Sequence, residues 1–265
     1  MLQSVNAIRF DRLIGTGKTR PSLMACVCDD GSEVEVVAKF VAGCEARELA
    51  LVREAIGAML AADLDLPVPE PFVVVVEVDF VQAIPDATAK AQALKSPRLA
   101  FGSKKLPPGF ATYPVEKPIP RSLLGLAAEI FAFDYLIANP DRTVANPNLL
   151  FNGREFGIYD HELAFITEGV LGWRPPWEPG AAHFPPGNPQ SVHVFQEELR
   201  GRTLDLNRLA GAFEAIADKR IDEYRAALPQ EWISDATSVN RIIDYIRALK
   251  EHLPLAINQL QGALA

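Results

Sequence analysis

Five prolines fall between residues 107 and 120, and the hydrophobic pattern changes across them. Proline fixes φ, donates no backbone hydrogen bond and disfavours helix at the residue before it, so no long helix or central strand can run through this stretch. Before it, apolar runs are short and rich in β-branched residues: Ala7–Phe10, Leu23–Cys28 and Val34–Phe40. Gly15-Thr16-Gly17 and the hairpin signal Asp29-Asp30-Gly31 separate them. After it, apolar residues recur at helical spacing. Leu123–Ala138 is apolar on every side and reads as a core helix, and further helices are predicted over 203–227 and 236–263. The expected architecture is α+β and bilobal: a strand-rich lobe over 1–107 and a helical lobe over 108–265.

Within the first lobe one helix is predicted from Cys44 to Leu64, with Leu49, Val52, Ile56, Met59 and Leu60 on one stripe. Leu66-Pro67-Val68-Pro69 stops it. Phe72–Gln82 reads as one long buried strand because of its β-branched content. In the second lobe Glu155–Tyr159 reads as a short strand, and Gly172–Pro189, rich in Pro, Gly and Trp, as an ordered surface loop. No internal repeat is visible.

A net charge of -8 disfavours direct nucleic-acid binding, which needs a basic face to neutralise phosphates. Three cysteines, at 26, 28 and 44, make neither a disulfide framework nor a zinc site and read as free thiols. No apolar run is long enough to span a bilayer, and the N-terminus lacks a basic region followed by an apolar one. The expectation is a cytoplasmic protein without a membrane partner.

The chemistry-bearing stretch is Ala138-Asn139-Pro140-Asp141-Arg142-Thr143-Val144-Ala145-Asn146, followed by Gly157-Ile158-Tyr159-Asp160-His161-Glu162. It sets a carboxylate, Asp141, just after the core helix and an amide, Asn146, five residues on. A second carboxylate, Asp160, ends the short strand. Asn and Asp beside Pro are ordinary turn formers, so each alone is unremarkable. Together they are the parts phosphoryl transfer needs: one carboxylate to orient the attacking hydroxyl and accept its proton, and an amide oxygen and a carboxylate to hold Mg²⁺ against phosphates. Oxygen ligands suit a hard cation.

The run FDYLIANPDRTVANPNLLF followed by IYDHELAF resembles the catalytic segment of HipA-like kinases and, more distantly, of phosphoinositide kinases. That resemblance implies a protein-kinase-like fold that uses ATP and Mg²⁺, with Asp141 as catalytic base and Asn146 and Asp160 as metal ligands. It also implies that Lys39, ending the strand Val36–Phe40, reaches the α- and β-phosphates and pairs with a glutamate on the next helix. Glu54 is the candidate; Glu45 and Glu48 are alternatives on the same helix. The segment Glu54–Pro69 is similar to the family's glutamate-bearing helix and its closing Leu-x-Val-Pro turn.

Gly15, Thr16, Gly17 and Lys18 look superficially like a Walker loop, but position 12 is Arg where that pattern needs Gly. A glycine turn between two strands, with backbone N–H groups closing on phosphates, fits better. Three features depart from the family pattern: Thr143 stands where many relatives have His, Leu13 lies nearest to a serine that many autophosphorylate, and the chain is shorter than full-length HipA toxins. Thr16, Thr19 and Ser22 could replace that serine. Residues 98–105 include or follow the adenine-contacting hinge. His161 either positions Asp160, lines the cleft or is structural; His183 and His193 have no assignable role; Trp173 and Trp177 read as loop anchors.

The expected activity is serine/threonine protein phosphorylation, with ATP and an unidentified protein as substrates. The alternatives are a small-molecule or lipid kinase and a nucleotide-binding regulatory module. The last implies an antitoxin or other regulatory protein as partner.

Overall fold

The computed structural model describes residues 2–15, 19–167, 172–181 and 190–264. The chain divides into two compact units. The first comprises Met1–Met59, Pro69–Pro107 and Glu223–Asn240, the second Leu60–Val68, Pro108–Asp222 and Arg241–Ala265.

The first unit is built on β1 (Gln3–Leu13), β2 (Ser22–Val27) and β3 (Glu33–Lys39), which form an antiparallel meander. Asp30 makes the β2–β3 turn: its carboxylate accepts from the Ser32 N–H at 2.9 Å. β4 (Pro71–Val75) and β5 (Leu99–Lys104) complete the sheet, and parallel pairing of β1 with β4 closes it into a five-stranded barrel in the order β1-β2-β3-β5-β4. Alternate residues point inward, so Val5, Met24, Cys26, Val36, Ala38, Phe72, Val74 and Ala100 fill the interior. Gly102 sits among them because there is no room for more: a β-carbon there would meet Val36 Cγ1 at 2.5 Å and Val74 Cγ2 at 2.6 Å.

Helix α1 (Glu48–Asp63) starts later than Cys44, because Val41–Gly43 forms a 3-10 turn and Arg47 takes a left-handed φ of 54°. The predicted long strand over 72–82 is also shorter. After Val75 the chain turns into α2 (Val78–Ala83) and α3 (Ala87–Leu94). Glu77 is exposed, and Val81, Ile84, Ala89 and Ala93 then meet the core from one helical face each. β-branched content alone cannot separate a strand from a short helix packed on the same core. Trp232, 1% exposed, donates its Nε1–H to Leu99 O at 3.3 Å.

The second unit contains a small sheet of β6 (Ala111–Thr112), β7 (Leu149–Phe151) and β8 (Phe156–Ile158), where β7 and β8 form a hairpin. Its core helix, α4 (Leu124–Leu136), is buried on all sides from Ala127 to Leu136. α5 (Gln196–Leu199), α6 (Asn207–Ala215), α7 (Asp218–Ala226), α8 (Ala236–Glu251) and α9 (Leu253–Ala263) follow, α7 and α8 each continuing across a unit boundary. The two long helices predicted at the C-terminal end are therefore four. Ile216 takes an extended conformation, and Pro254, in the first turn of α9, cannot continue a preceding helix. The described part of the Trp loop is anchored on α8 and α9: Trp177 packs 5.7 Å from Tyr245 and 5.3 Å from His252, between ring centroids. Among the described residues no helix is long and apolar enough to cross a membrane.

Candidate active site

Two acids, Glu129 and Asp134, interrupt the apolar helix α4, and both are buried. A carboxylate in such a place needs donors for its charge. Glu129 has Arg208, with Nε at 2.7 Å from Oε1. Asp134 is wholly enclosed and takes four donors: Arg142 Nε at 2.6 Å and His193 Nε2 at 3.1 Å on Oδ2, and Asn139 Nδ2 at 2.7 Å and Arg142 Nη2 at 3.3 Å on Oδ1. Burial pushes its carboxyl up, but the Arg142 charge and the His193 hydrogen bond outweigh this and hold it well below the usual carboxylate range.

These bonds shape the loop that carries Asp141. Past α4, Ala138 adopts a left-handed φ of 50° and the Asn139 N–H donates back to Asp134 O at 2.8 Å. Asn139 Oδ1 then accepts from the Asp141 N–H at 3.3 Å. Arg142 is fully buried and binds backbone as well as Asp134, donating to Asn148 O and, at 3.1 Å, to Tyr159 O. Its Nη2 lies 3.3 Å from His161 Nε2. Guanidinium can only donate, so that histidine nitrogen accepts and its proton sits on Nδ1. His161 is thus a buried partner of Arg142, one residue beyond Asp160.

Two amides converge on one oxygen of Asp141: Asn148 Nδ2 at 2.7 Å and Asn146 Nδ2 at 2.9 Å both donate to Oδ2. Asn148 holds this pose at a left-handed φ of 45°, which asparagine tolerates better than most residues. Burial first and the nearby charge of Asp160 second raise the Asp141 carboxyl above its ordinary range, against the two amide bonds. Asp160 itself follows β8 at a φ of 65°, a strained conformation of the kind that aims functional side chains. The carboxylates of Asp141 and Asp160 press on each other's charge, and the Asn146 amide is bonded to the first through its Nδ2. Two such carboxylates, with an amide that has an oxygen to offer, fit a hard divalent cation.

The profile of the HipA-like kinases matches residues 8–171, more than half of the chain. The chain belongs to that family. No curated protein sequence matches it. Among solved structures, the Helicobacter pylori proinflammatory kinase CtkA aligns with a TM-score of 0.53 at 10% identity, over 100% of this chain and 99% of that one. The fold of this HipA-like kinase is therefore protein-kinase-like, strand-rich in its N-terminal part and helical in its C-terminal part. The Golgi casein kinase aligns with a TM-score of 0.46 at 10% identity, over 99% of this chain and 74% of that chain.

In the first unit of this HipA-like kinase, Lys39 at the end of β3 makes an ion pair with Glu54 on α1. The lysine is 7% exposed and the glutamate 2%, so the pair holds both charges out of water. Of the two alternatives, Glu48 lies 3.9 Å from Arg47. Lys39 pairs in register with Phe101 of β5, so residues 99–104 of the segment read as hinge-proximal are a barrel strand. The glycine turn is only partly described. Gly15 has a φ of 70°, and the Ile14 N–H donates to Pro21 O at 2.7 Å across the turn, while Thr16, Gly17 and Lys18 lie outside the described residues, as does His183.

The sequence alone assigns no role to Asp134, Asn148 or His193. Asp134 had a legible signal, a lone carboxylate inside an otherwise apolar helical turn. Asn148 lies inside the run that resembles the family, two residues past Asn146, with nothing local to set it apart, and nothing in the chain marks His193 as a neighbour of residues 142–145.

Proposed function

We propose that this chain is a Mg²⁺- and ATP-dependent kinase that phosphorylates a serine or threonine hydroxyl of a protein. The reading is carried by Asp141, whose carboxylate is fixed by two amides on one oxygen and raised in basicity by burial and by Asp160. A carboxylate so held can orient an attacking hydroxyl and take its proton. In the transfer, the hydroxyl oxygen bonds to the γ-phosphorus, the bond to the β–γ bridging oxygen breaks, ADP leaves, and the proton goes to Asp141.

Lys39, kept in place by Glu54, would bind the α- and β-phosphates, and the backbone of Gly15, Thr16, Gly17 and Lys18 would close over them. Asn146 and Asp160 would hold Mg²⁺, which when bound neutralises charge on the phosphates. Arg142 touches none of these groups in this reading; it braces the loop that carries Asp141 and the backbone leading into Asp160.

Purified protein with γ-labelled ATP and Mg²⁺, beside Asp141→Ala and Asp160→Ala, tests the proposal. Label should enter protein with the wild type and with neither variant. Label that persists in Asp141→Ala would sink the assignment of that residue, and a wild type that neither binds ATP nor transfers label would sink the kinase reading.

A further inference from the structure

The oxygen of Asp134 that receives Arg142 Nε also receives His193 Nε2, from 59 residues further along the chain. This is not an isolated contact. The segment holding His193 runs antiparallel to the catalytic loop: Val144 N–H donates to Val192 O at 3.1 Å, Ala145 N–H to Gln190 O at 3.1 Å, and Val194 N–H to Arg142 O at 3.0 Å, with Thr143 opposite His193.

The histidine is fixed in one tautomer. The Phe195 N–H donates to its Nδ1 at 3.2 Å, so Nδ1 carries a lone pair and Nε2 the proton. Its ring lies edge-on to Phe131, 4.9 Å between centroids, and it is fully buried. An imidazole with both nitrogens committed and no access to water does no proton chemistry here. Its visible job is geometric: it donates to the carboxylate that orients Asn139 and Arg142, and through them the backbone of Asp141 and the carbonyl of Asn148.

We propose that His193 is a positioning residue for phosphoryl transfer, locking the catalytic loop to the strand-like segment 190–194 by its Nε2–H bond to Asp134. The inference rests on the kinase reading of Asp141. It makes the segment that ends the Trp-bearing loop a part of the machinery that sets Asp141's aim.

Gln and Met have similar size and flexibility, but only Gln can donate a hydrogen bond to Asp134. The test compares His193→Gln and His193→Met, with His193→Phe replacing the Met variant if that one does not fold. With γ-labelled ATP, kcat should stay within about threefold of wild type in His193→Gln and fall about 10- to 100-fold in His193→Met, while KM for ATP moves by no more than about twofold in either. Amide exchange at Val144 and Ala145 should quicken in His193→Met and not in His193→Gln. Equal kcat values and equal exchange in the two variants would overturn the proposal and leave His193 a packing residue. A wild type that transfers no label would instead defeat the kinase reading, and the exchange comparison alone would then decide whether His193 locks the loop.

Discussion

Arg142 Nε lies 2.6 Å from Asp134 Oδ2 in an ion pair with no solvent exposure on either side chain. Such a pair is costly to form and far more costly to break, because the surviving charge stays buried. Asp134→Asn leaves the Arg142 guanidinium with no full counter-charge among the contacts described above. Loss of one partner should destabilise the fold by about 3–5 kcal/mol at neutral pH, measured by urea unfolding. A change below about 1 kcal/mol would show that the network tolerates a neutral amide.

The same pair sets a pH dependence. The folded state holds the Asp134 carboxyl well below its unfolded value of about 3.9, so its contribution is full above that value and is lost as pH falls below it. Wild-type stability should therefore drop between about pH 4 and pH 2 more steeply than that of Asp134→Asn. Parallel urea midpoints for the two proteins over that range would contradict the assignment.

In the barrel, Gly102 tests packing rather than charge. A methyl group there would overlap Val36 Cγ1 and Val74 Cγ2, both inside a closed sheet that cannot splay to make room. Gly102→Ala should cost about 1–3 kcal/mol by thermal or denaturant unfolding, although alanine is ordinarily the better strand residue. Unchanged stability would mean that the barrel is looser than the contacts indicate.

Lys39 and Glu54 allow stability and activity to be separated. Lys39→Met takes a counter-charge away from Glu54, 2% exposed, and should cost several kcal/mol, on the order of 3–5. Adding Glu54→Leu removes the carboxylate that lost its counter-charge, so the double variant should recover most of that loss. If Lys39 serves the phosphates as proposed, neither variant should bind ATP tightly, whatever its stability. Recovery of both properties in the double variant would make the pair a structural feature only.

The parts legible in the sequence were those fixed locally. The strands β1 to β3, the core helix α4 and the order Asp141, Asn146, Asp160 follow from period, turn residues and spacing over a few positions. What escaped is set by distant contacts. Nothing local says that β1 pairs with β4 to close a barrel, or that Val78–Ala83 coils to reach the core from one face. His193 is the clearest case, since its role depends on a carboxylate 59 residues earlier in the chain.

Asn148 tests how closely the fixing of Asp141 governs the reaction. Its Nδ2 donates to Asp141 Oδ2 at 2.7 Å and its carbonyl is held by Arg142, so this one residue connects the buried network to the proposed base. Asn148→Asp keeps the size but replaces the donor with a second carboxylate facing the first. That would push the Asp141 carboxyl higher still and turn it away, since like charges at this distance cannot both ionise freely. Asn148→Gly removes the side chain while keeping the left-handed backbone at low cost. Both variants should lose kcat, by about 10- to 1,000-fold on the scale of removing one catalytic hydrogen bond, with the Asp variant worse than the Gly one. If Asn148→Gly matched the wild type in kcat, Asn146 alone would suffice to orient Asp141, and the convergence of two amides on one oxygen would be incidental to catalysis.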